Sequence, residues 1–91
     1  MNFNASYTIP DSVMLQNIDD ETLLLDTNTQ EFFSLNEIGS AMWESMSEYN
    51  NLEEVYKEFQ EAFDIDANQL KSDITTFASA LKEKGLITFN D

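Results

Sequence analysis

The sequence predicts an α+β fold in which a three-stranded antiparallel sheet is followed by three helices. Two observations favour this class. Short apolar stretches separated by polar turn residues occupy residues 13–35, which is typical of strands joined by tight turns. Three amphipathic stretches of helical period fill most of residues 37–84, each preceded by a capping residue. The 91 residues suffice for one modest core, so we expect residues 1–91 to form a single domain, with residues 1–11 flexible.

The predicted sheet begins with a β-hairpin. Apolar residues from Val13 to Leu25 flank the polar turn Asp19-Asp20-Glu21. A second polar cluster, from Asp26 to Gln30, predicts another turn. Glu31 to Leu35 then returns as the third strand, which completes a small antiparallel meander.

The third strand runs directly into the first helix, which Asn36 caps. Because side chains alternate along a strand, Phe33 and Leu35 share one face, and Phe32 and Ser34 share the other. A strand at the edge of a sheet carries unpaired N–H and C=O groups, and an extended peptide can bind there as one more strand. Peptide recognition is therefore the leading functional hypothesis.

Each predicted helix has its own start signal. The first covers Glu37 to Glu48, the second is capped by Asn50 or Asn51, and the third begins near Asp66 and stops at Gly85. The helical period assigns one set of residues on each helix to the core. These are Ile38, Ala41, Met42, Ser45 and Met46 with Trp43 on the first helix, Leu52, Val55, Tyr56, Phe59 and Phe63 on the second, and Leu70, Ile74, Phe77, Ala78 and Leu81 on the third. With a short terminal strand over Leu86 to Phe89, this order of elements predicts a winged helix-turn-helix type of domain.

Charge argues against nucleic-acid binding. Eighteen acidic residues stand against four lysines and no arginine, for a net charge of -14. A protein that grips phosphates needs clustered Lys and Arg, yet the helix that would read DNA begins with Asp66 and carries Asp73. We expect the acidity to serve solubility, or to attract a basic partner protein.

The chain lacks the residues for common catalytic and cofactor chemistry. It has no His, Cys or Arg and two glycines, which disfavours an acid-base imidazole, a thiol nucleophile, an arginine clamp and a glycine-rich phosphate loop. Acidic residues on the second helix without any ligating His are expected to be solvated, namely Glu53, Glu54, Glu58 and Glu61. We expect no enzyme activity, no cofactor and no metal. Without a signal peptide or an apolar span, we expect a soluble, cytoplasmic protein.

Several short motifs occur in an order and spacing that match a known family. They are Leu23-Leu24-Leu25-Asp26, Phe32-Phe33-Ser34-Leu35-Asn36, Ile38-Gly39 with Trp43, Asp73-Ile74, Phe77, Leu81 and Gly85-Leu86. On these motifs the chain resembles the PqqD-like proteins, the recognition elements of ribosomally synthesised and post-translationally modified peptides. The resemblance covers residues 12–89.

The resemblance implies a protein that binds the leader segment of a precursor peptide and presents it to a modifying enzyme. That enzyme would be a radical SAM maturase or the leader peptidase of a lasso-peptide pathway. The leader would lie as an added antiparallel strand between the third strand and the third helix. The binding residues implied are Glu31, Phe32, Phe33, Ser34, Leu35, Leu70, Lys71, Asp73, Ile74 and Phe77.

The third helix also carries most of the positive charge. Lys71, Lys82 and Lys84 lie there, which would favour acidic leader residues against an otherwise negative surface. No nucleic acid or membrane is an expected partner. The protein would be a monomer, or a dimer paired through its edge strand, which would occlude the leader site.

Two other roles stay open at this point. One is a transcriptional regulator on the winged-helix scaffold, which would bind duplex DNA. The other is an acidic adaptor or DNA mimic, whose binding would collapse with salt. Among the residues, Phe33, Leu35, Ile74 and Phe77 can simply fill the core, whereas an exposed Phe32 would be more telling.

Overall fold

The computed structural model describes residues 2–90. Its elements, in chain order, are β1 (Tyr7–Thr8), β2 (Val13–Ile18), β3 (Glu21–Asp26), β4 (Phe32–Leu35), α1 (Glu37–Glu48), α2 (Leu52–Ala62), α3 (Ala67–Glu83) and β5 (Thr88–Phe89). Strands β2, β3 and β4 form an antiparallel sheet in that order, and three helices follow. The predicted meander and the three predicted helices are therefore confirmed.

Two tight turns set the register of the sheet. Asp19 adopts a left-handed φ of 55° in the β2–β3 turn, which suits a two-residue hairpin. In the β3–β4 turn, Gln30 has a φ of 65°, and its N–H donates to the carbonyl of Asp26. The Asp26 carboxylate accepts a hydrogen bond from the Asn28 N–H at 2.9 Å. Strand β4 covers Phe32–Leu35 and so begins one residue later than predicted.

Each helix starts where the sequence predicted. The side chains of Asn36, Asn51 and Asp66 each accept a hydrogen bond from the backbone N–H three residues further on. The capping residue of the second helix is Asn51 and not Asn50. Helix α3 ends before Gly85, whose φ of 75° is the left-handed conformation that stops a helix.

The N-terminal segment forms a strand that sequence analysis missed. Strand β1 pairs antiparallel with β5, so residues 7–8 and 88–89 lie side by side. Tyr7 is buried, and its hydroxyl donates to the carbonyl of Met46 at 2.7 Å and to that of Tyr49 at 3.0 Å. Burial raises the pKa of the Tyr7 hydroxyl. Flexibility of residues 1–11 stays a prediction, and Met1 lies outside the described residues.

The core lies between the inner face of the sheet and the three helices. Its most buried side chains include Leu24, Met46, Leu52, Leu70, Ile74, Leu81, Leu86 and Ile87. Trp43 is buried as predicted. Ile38 and Phe63 were wrongly assigned to the core: Ile38 is exposed in the first turn of α1, and Phe63 is exposed just beyond the end of α2. Across residues 2–90, no helix combines the length and the apolar character that a membrane span requires.

Candidate functional site

Strand β4 lies at one edge of the sheet, and its hydrogen-bond pattern decides which backbone groups are free. The Asp26 N–H donates to the Glu31 carbonyl at 2.9 Å, and residues that exchange hydrogen bonds alternate along an antiparallel pair. The odd-numbered residues of this stretch therefore bond to β3. Phe32 and Ser34 instead direct their N–H and C=O groups towards the open edge. The edge thus offers two donors and two acceptors to a further strand.

A groove separates this edge from helix α3, which runs antiparallel to β4. At one end the Lys84 ammonium lies 3.6 Å from the Glu31 carboxylate. In the middle the rings of Phe33 and Phe77 meet edge to face, with their centroids 6.0 Å apart. The part of α3 that precedes Phe77 passes the start of α1. We call this channel the β4–α3 groove.

The β4–α3 groove contains two adjoining cavities. One, of about 270 Å³, is lined by Phe33, Ser34, Leu35, Asn36, Gly39 and Phe77. The other, of about 330 Å³, is lined by Asn36, Ile38, Gly39, Met42, Asp73, Thr76 and Phe77. Because Asn36, Gly39 and Phe77 line both cavities, the groove is continuous from the strand edge to the middle of α3.

Gly39 forms the floor of the groove. A Cβ atom at this position would lie 3.2 Å from the Asn36 Oδ1, 3.4 Å from the Leu35 Cδ2 and 3.5 Å from the Phe77 Cε1. The Asn36 oxygen is held there because it accepts the Gly39 N–H at 2.7 Å as the helix cap. The absence of a side chain at Gly39 therefore keeps the groove open at the point where its two cavities meet.

Not all of the residues implied by the resemblance reach the groove. Leu70 and Ile74 are completely buried and support the groove from below, where a peptide cannot touch them. Leu35 is also buried, although it lines one cavity. Phe33 and Phe77 are half-buried, so they belong to both the core and the groove lining.

The charged residues implied by the resemblance lie apart from one another. Asp73 lines the groove and accepts a hydrogen bond from the Gln69 side chain at 2.8 Å. Lys71 does not line the groove, because the helical rotation places it on another side of α3. Its ammonium lies 5.0 Å from the centre of the Tyr56 ring. Glu31 closes one end of the groove through its contact with Lys84.

The outer face of the sheet carries an exposed apolar row. Met14, Leu25 and Phe32 lie directly opposite one another on the three strands and therefore share a face. Phe32 is 59% exposed and Met14 is 45% exposed. We call these three residues the outer row. Because Phe32 lies on the edge strand, a peptide docked at β4 would extend the row.

The turn before β4 is fixed by the carboxylate of Asp26. Hydrogen bonding from the Asn28 N–H is the main cause that lowers the pKa of Asp26, with a further contribution from the Ser12 hydroxyl. The charged form is thus the one that holds the turn. Residues 2–90 contain no group of three or more metal-ligating side chains.

Comparison with known proteins assigns the family. The family model described as coenzyme PQQ synthesis protein D, PqqD, matches residues 21–87. The chain belongs to the PqqD family. This match spans the sheet from β3 onwards, all three helices and the approach to β5.

Two solved structures resemble this PqqD-family chain. One is TbiB1 in complex with the TbiA(beta) leader peptide, at 32% identity and a TM-score of 0.75, covering 87% of this chain and 92% of that chain. The other is lasso peptide synthetase B1 complexed with the leader peptide, at 18% identity and a TM-score of 0.76, covering 91% of this chain and 98% of that chain. The second likeness is one of fold. No curated protein matches the sequence.

Sequence analysis missed part of the groove in this PqqD-family chain. The sequence predicted Asn36 as a helix cap and placed Gly39 in a family motif. It assigned neither residue to the groove lining, where both lie in the structure. Met42 and Thr76 also line it. The glycine at the third position of a helix, directly after an edge strand, is the signal that could have revealed the floor of the groove.

Proposed function

We propose that this protein binds the leader segment of a ribosomally synthesised precursor peptide as an added strand on β4. The observation that carries the proposal is the open edge at Phe32 and Ser34, which faces a continuous groove against α3. Membership of the PqqD family supports it, as do two structural neighbours that were solved as leader-peptide complexes. The residues that would contact the leader are Glu31, Phe32, Phe33, Ser34, Leu35, Asn36, Gly39, Asp73, Thr76 and Phe77.

Backbone pairing alone would give weak binding. The two N–H and two C=O groups of Phe32 and Ser34 allow four hydrogen bonds, each contributing about 0.5–1.5 kcal/mol net. Association itself costs about 4–15 kcal/mol, so side chains must supply much of the affinity. Every second side chain of a docked strand would point into the groove, where Phe33, Gly39 and Phe77 offer an apolar surface. We therefore expect the leader to place apolar residues at alternate positions.

The docked leader would run antiparallel to β4. Antiparallel pairing continues the pattern of the sheet and is slightly more stable per residue than parallel pairing. In this direction the N-terminal part of the leader lies at the Asn36 end of the groove, and the C-terminal part lies near Glu31 and Lys84. The core peptide that follows the leader would therefore emerge near the β3–β4 turn.

A modifying enzyme would recognise the occupied protein through the outer row. Outward-facing side chains of the docked leader would lie beside Phe32 and extend the apolar surface across a fourth strand. An enzyme that binds this combined surface would select the loaded protein over the empty one. This enzyme would be a lasso-peptide leader peptidase or a radical SAM maturase.

The proposal also covers the domain organisation, the location and the scaffold type of the protein. Residues 1–91 would act as a single binding domain in the cytoplasm, where ribosomal precursors are made, without catalytic activity or a cofactor of their own. The scaffold would be of the winged helix-turn-helix type with its DNA-binding role absent. The capping residue of α3 is the acidic Asp66, and a carboxylate at this position disfavours contact with DNA phosphates.

A peptide titration at two salt concentrations tests the proposal. A fluorescein-labelled leader of the precursor encoded beside this protein is titrated by anisotropy at low salt and at several hundred millimolar salt, with a scrambled leader as the control. Binding of the native leader that persists at high salt is expected, because the groove is apolar and its backbone hydrogen bonds are shielded. Absence of binding at both salt concentrations overturns the proposal. Binding that is lost with salt, or equal binding of the scrambled leader, indicates an acidic adaptor instead.

A further inference from the structure

A third cavity lies next to the β4–α3 groove and is not explained by strand addition. It has a volume of about 440 Å³ and is lined by Phe3, Glu53, Lys71, Ser72, Thr75 and Thr76. It is bounded by the N-terminal segment, the start of α2 and the exposed side of α3. We call it the Lys71 cavity.

The Lys71 cavity and the groove meet at one residue. Thr76 lines both the groove cavity that contains Asp73 and the Lys71 cavity. On a helical turn of 3.6 residues, Ser72 neighbours Thr76, and Lys71 lies further round the same side. A chain that leaves the groove across Thr76 therefore enters the Lys71 cavity directly.

The direction of the docked leader brings a defined segment to this point. An antiparallel leader has its N-terminal part at the Asn36 and Asp73 end of the groove, which is the end that adjoins Thr76. An extended chain advances about 3.3 Å per residue. Thr76 and Lys71 are five residues apart on α3, so their Cα atoms lie about 9 Å from each other, a distance that two or three leader residues before the docked strand span.

The chemistry of the Lys71 cavity favours an acidic side chain. Within residues 2–90, the Lys71 ammonium contacts the Tyr56 ring but has no carboxylate oxygen within 4.0 Å. Lys57 and Lys82 likewise have no carboxylate oxygen within 4.0 Å in the described part of the chain, but neither of them lines a cavity with neighbouring hydroxyls as Lys71 does. The hydroxyls of Ser72 and Thr76 add hydrogen-bond donors, and Phe3, which packs edge to face on Tyr56, adds an apolar wall.

Glu53 limits what the cavity accepts. It is the one carboxylate among the six lining residues, and its N–H donates to the Phe3 carbonyl at 3.1 Å. A single acidic ligand group can pair with Lys71, while additional negative charge would meet Glu53. The cavity thus suits one Asp or Glu beside an apolar or small polar residue.

We propose that the Lys71 cavity is a second subsite for the precursor peptide, and that it binds an Asp or Glu two or three residues N-terminal to the docked strand. This inference rests on the proposed leader-binding function. It gives Lys71 a role in reading the leader even though Lys71 lies outside the groove. It also makes the N-terminal segment, through Phe3, part of the recognition surface.

Two leader peptides and three variants test the subsite. The full leader and a leader truncated at the first residue of the docked strand are titrated against the full chain by anisotropy. Lys71→Glu should weaken binding of the full leader about tenfold, equivalent to about 1.4 kcal/mol, and leave binding of the truncated leader unchanged. Glu53→Gln should strengthen binding of the full leader. Lys57→Glu is the matched control, because Lys57 is exposed on α2 and lines none of the three cavities.

The outcomes separate the subsite from the groove. If the native protein binds both peptides equally well, or if Lys71→Glu and Lys57→Glu act alike, the subsite is refuted and the groove stands. If neither peptide binds the native protein, leader binding itself is refuted and the subsite falls with it. Restored affinity between Lys71→Glu and a leader whose acidic residue is changed to Lys would establish the direct contact. Amide NMR shifts at Phe3 and Ser72 that need the full leader would agree with it.

Discussion

Replacing Ser34 with proline tests the open edge of β4 most directly. The register places the N–H of Ser34 on the edge that faces the groove and not on the side that bonds to β3. Proline at this position therefore removes no hydrogen bond of the sheet, in keeping with the tolerance of edge strands for proline. The Ser34 side chain is exposed, so its loss disturbs no packing. The change should act on a docked strand and leave the fold intact.

The expected loss of affinity follows from one missing donor. The leader carbonyl that would accept the Ser34 N–H stays unpaired in the groove, which costs about 1–3 kcal/mol. At about 1.4 kcal/mol per factor of ten, the dissociation constant should rise about 5- to 150-fold. The proline ring also projects into the space of the added strand, so the larger values are expected.

The assay compares proline at three positions by leader anisotropy and thermal unfolding. Asn17 lies on the opposite edge of the sheet and, by the same alternation, directs its N–H outwards, so Asn17→Pro is the matched control. It should keep leader affinity, with a small loss of stability because the exposed hydrogen bond from the Thr22 hydroxyl to the Asn17 side chain is removed. Phe33→Pro removes a hydrogen bond to β3 and should lower the melting temperature. Normal leader binding by a folded Ser34→Pro protein would refute strand addition at β4.

Three further predictions concern the groove and its support. Gly39→Ala places a methyl group 3.2 Å from the Asn36 Oδ1 on the groove floor, and should weaken leader binding in the anisotropy assay by about 1 kcal/mol or more. Tyr7→Phe leaves two carbonyls at the end of α1 without their donor, and should lower the free energy of unfolding in urea by about 1–3 kcal/mol. Because the Asn28 N–H lowers the pKa of Asp26, the folded chain binds fewer protons there than the unfolded chain. Stability should therefore fall as pH decreases below about 4, and Asp26→Asn should make that fall shallower in urea unfolding.

Each of these has a result that would contradict it. Unchanged leader affinity in Gly39→Ala would mean that the leader does not reach the groove floor. An unchanged urea midpoint in Tyr7→Phe would mean that other groups satisfy the α1 carbonyls. If Asp26→Asn and the native protein lose stability with equal slopes in acid, other carboxylates control the acid response.

Local sequence signals predicted most of the elements. Asn36, Asn51 and Asp66 cap their helices because each can bond to an N–H three residues on, and this interaction needs no tertiary partner. The strand pattern likewise identified β4 and the alternation of its faces. Strand β1 was missed because two residues carry no periodicity, and it forms only because β5 from the other end of the chain pairs with it.

Tertiary packing decided which of the candidate residues can meet a ligand. The apolar stripe of α3 showed that Leu70, Ile74 and Phe77 share one side of the helix, but it did not show which of these side chains is exposed. The position of β4 against α3 then buried the first two and left Phe77 half-exposed beside Phe33. Period and composition describe one element at a time, whereas exposure depends on a neighbouring element.

By itself, the sequence determined the order and limits of the main strands and helices, the negative charge, and the family motifs, because capping, turn formation and side-chain period are local properties. Only the tertiary structure decided that Phe32 and Ser34 face an open edge, that Gly39 forms a groove floor, and that Lys71 lies in a separate cavity with Phe3. Those features depend on strand register and on distances between residues far apart in the chain. Such distances are set by how the sheet and helices pack together.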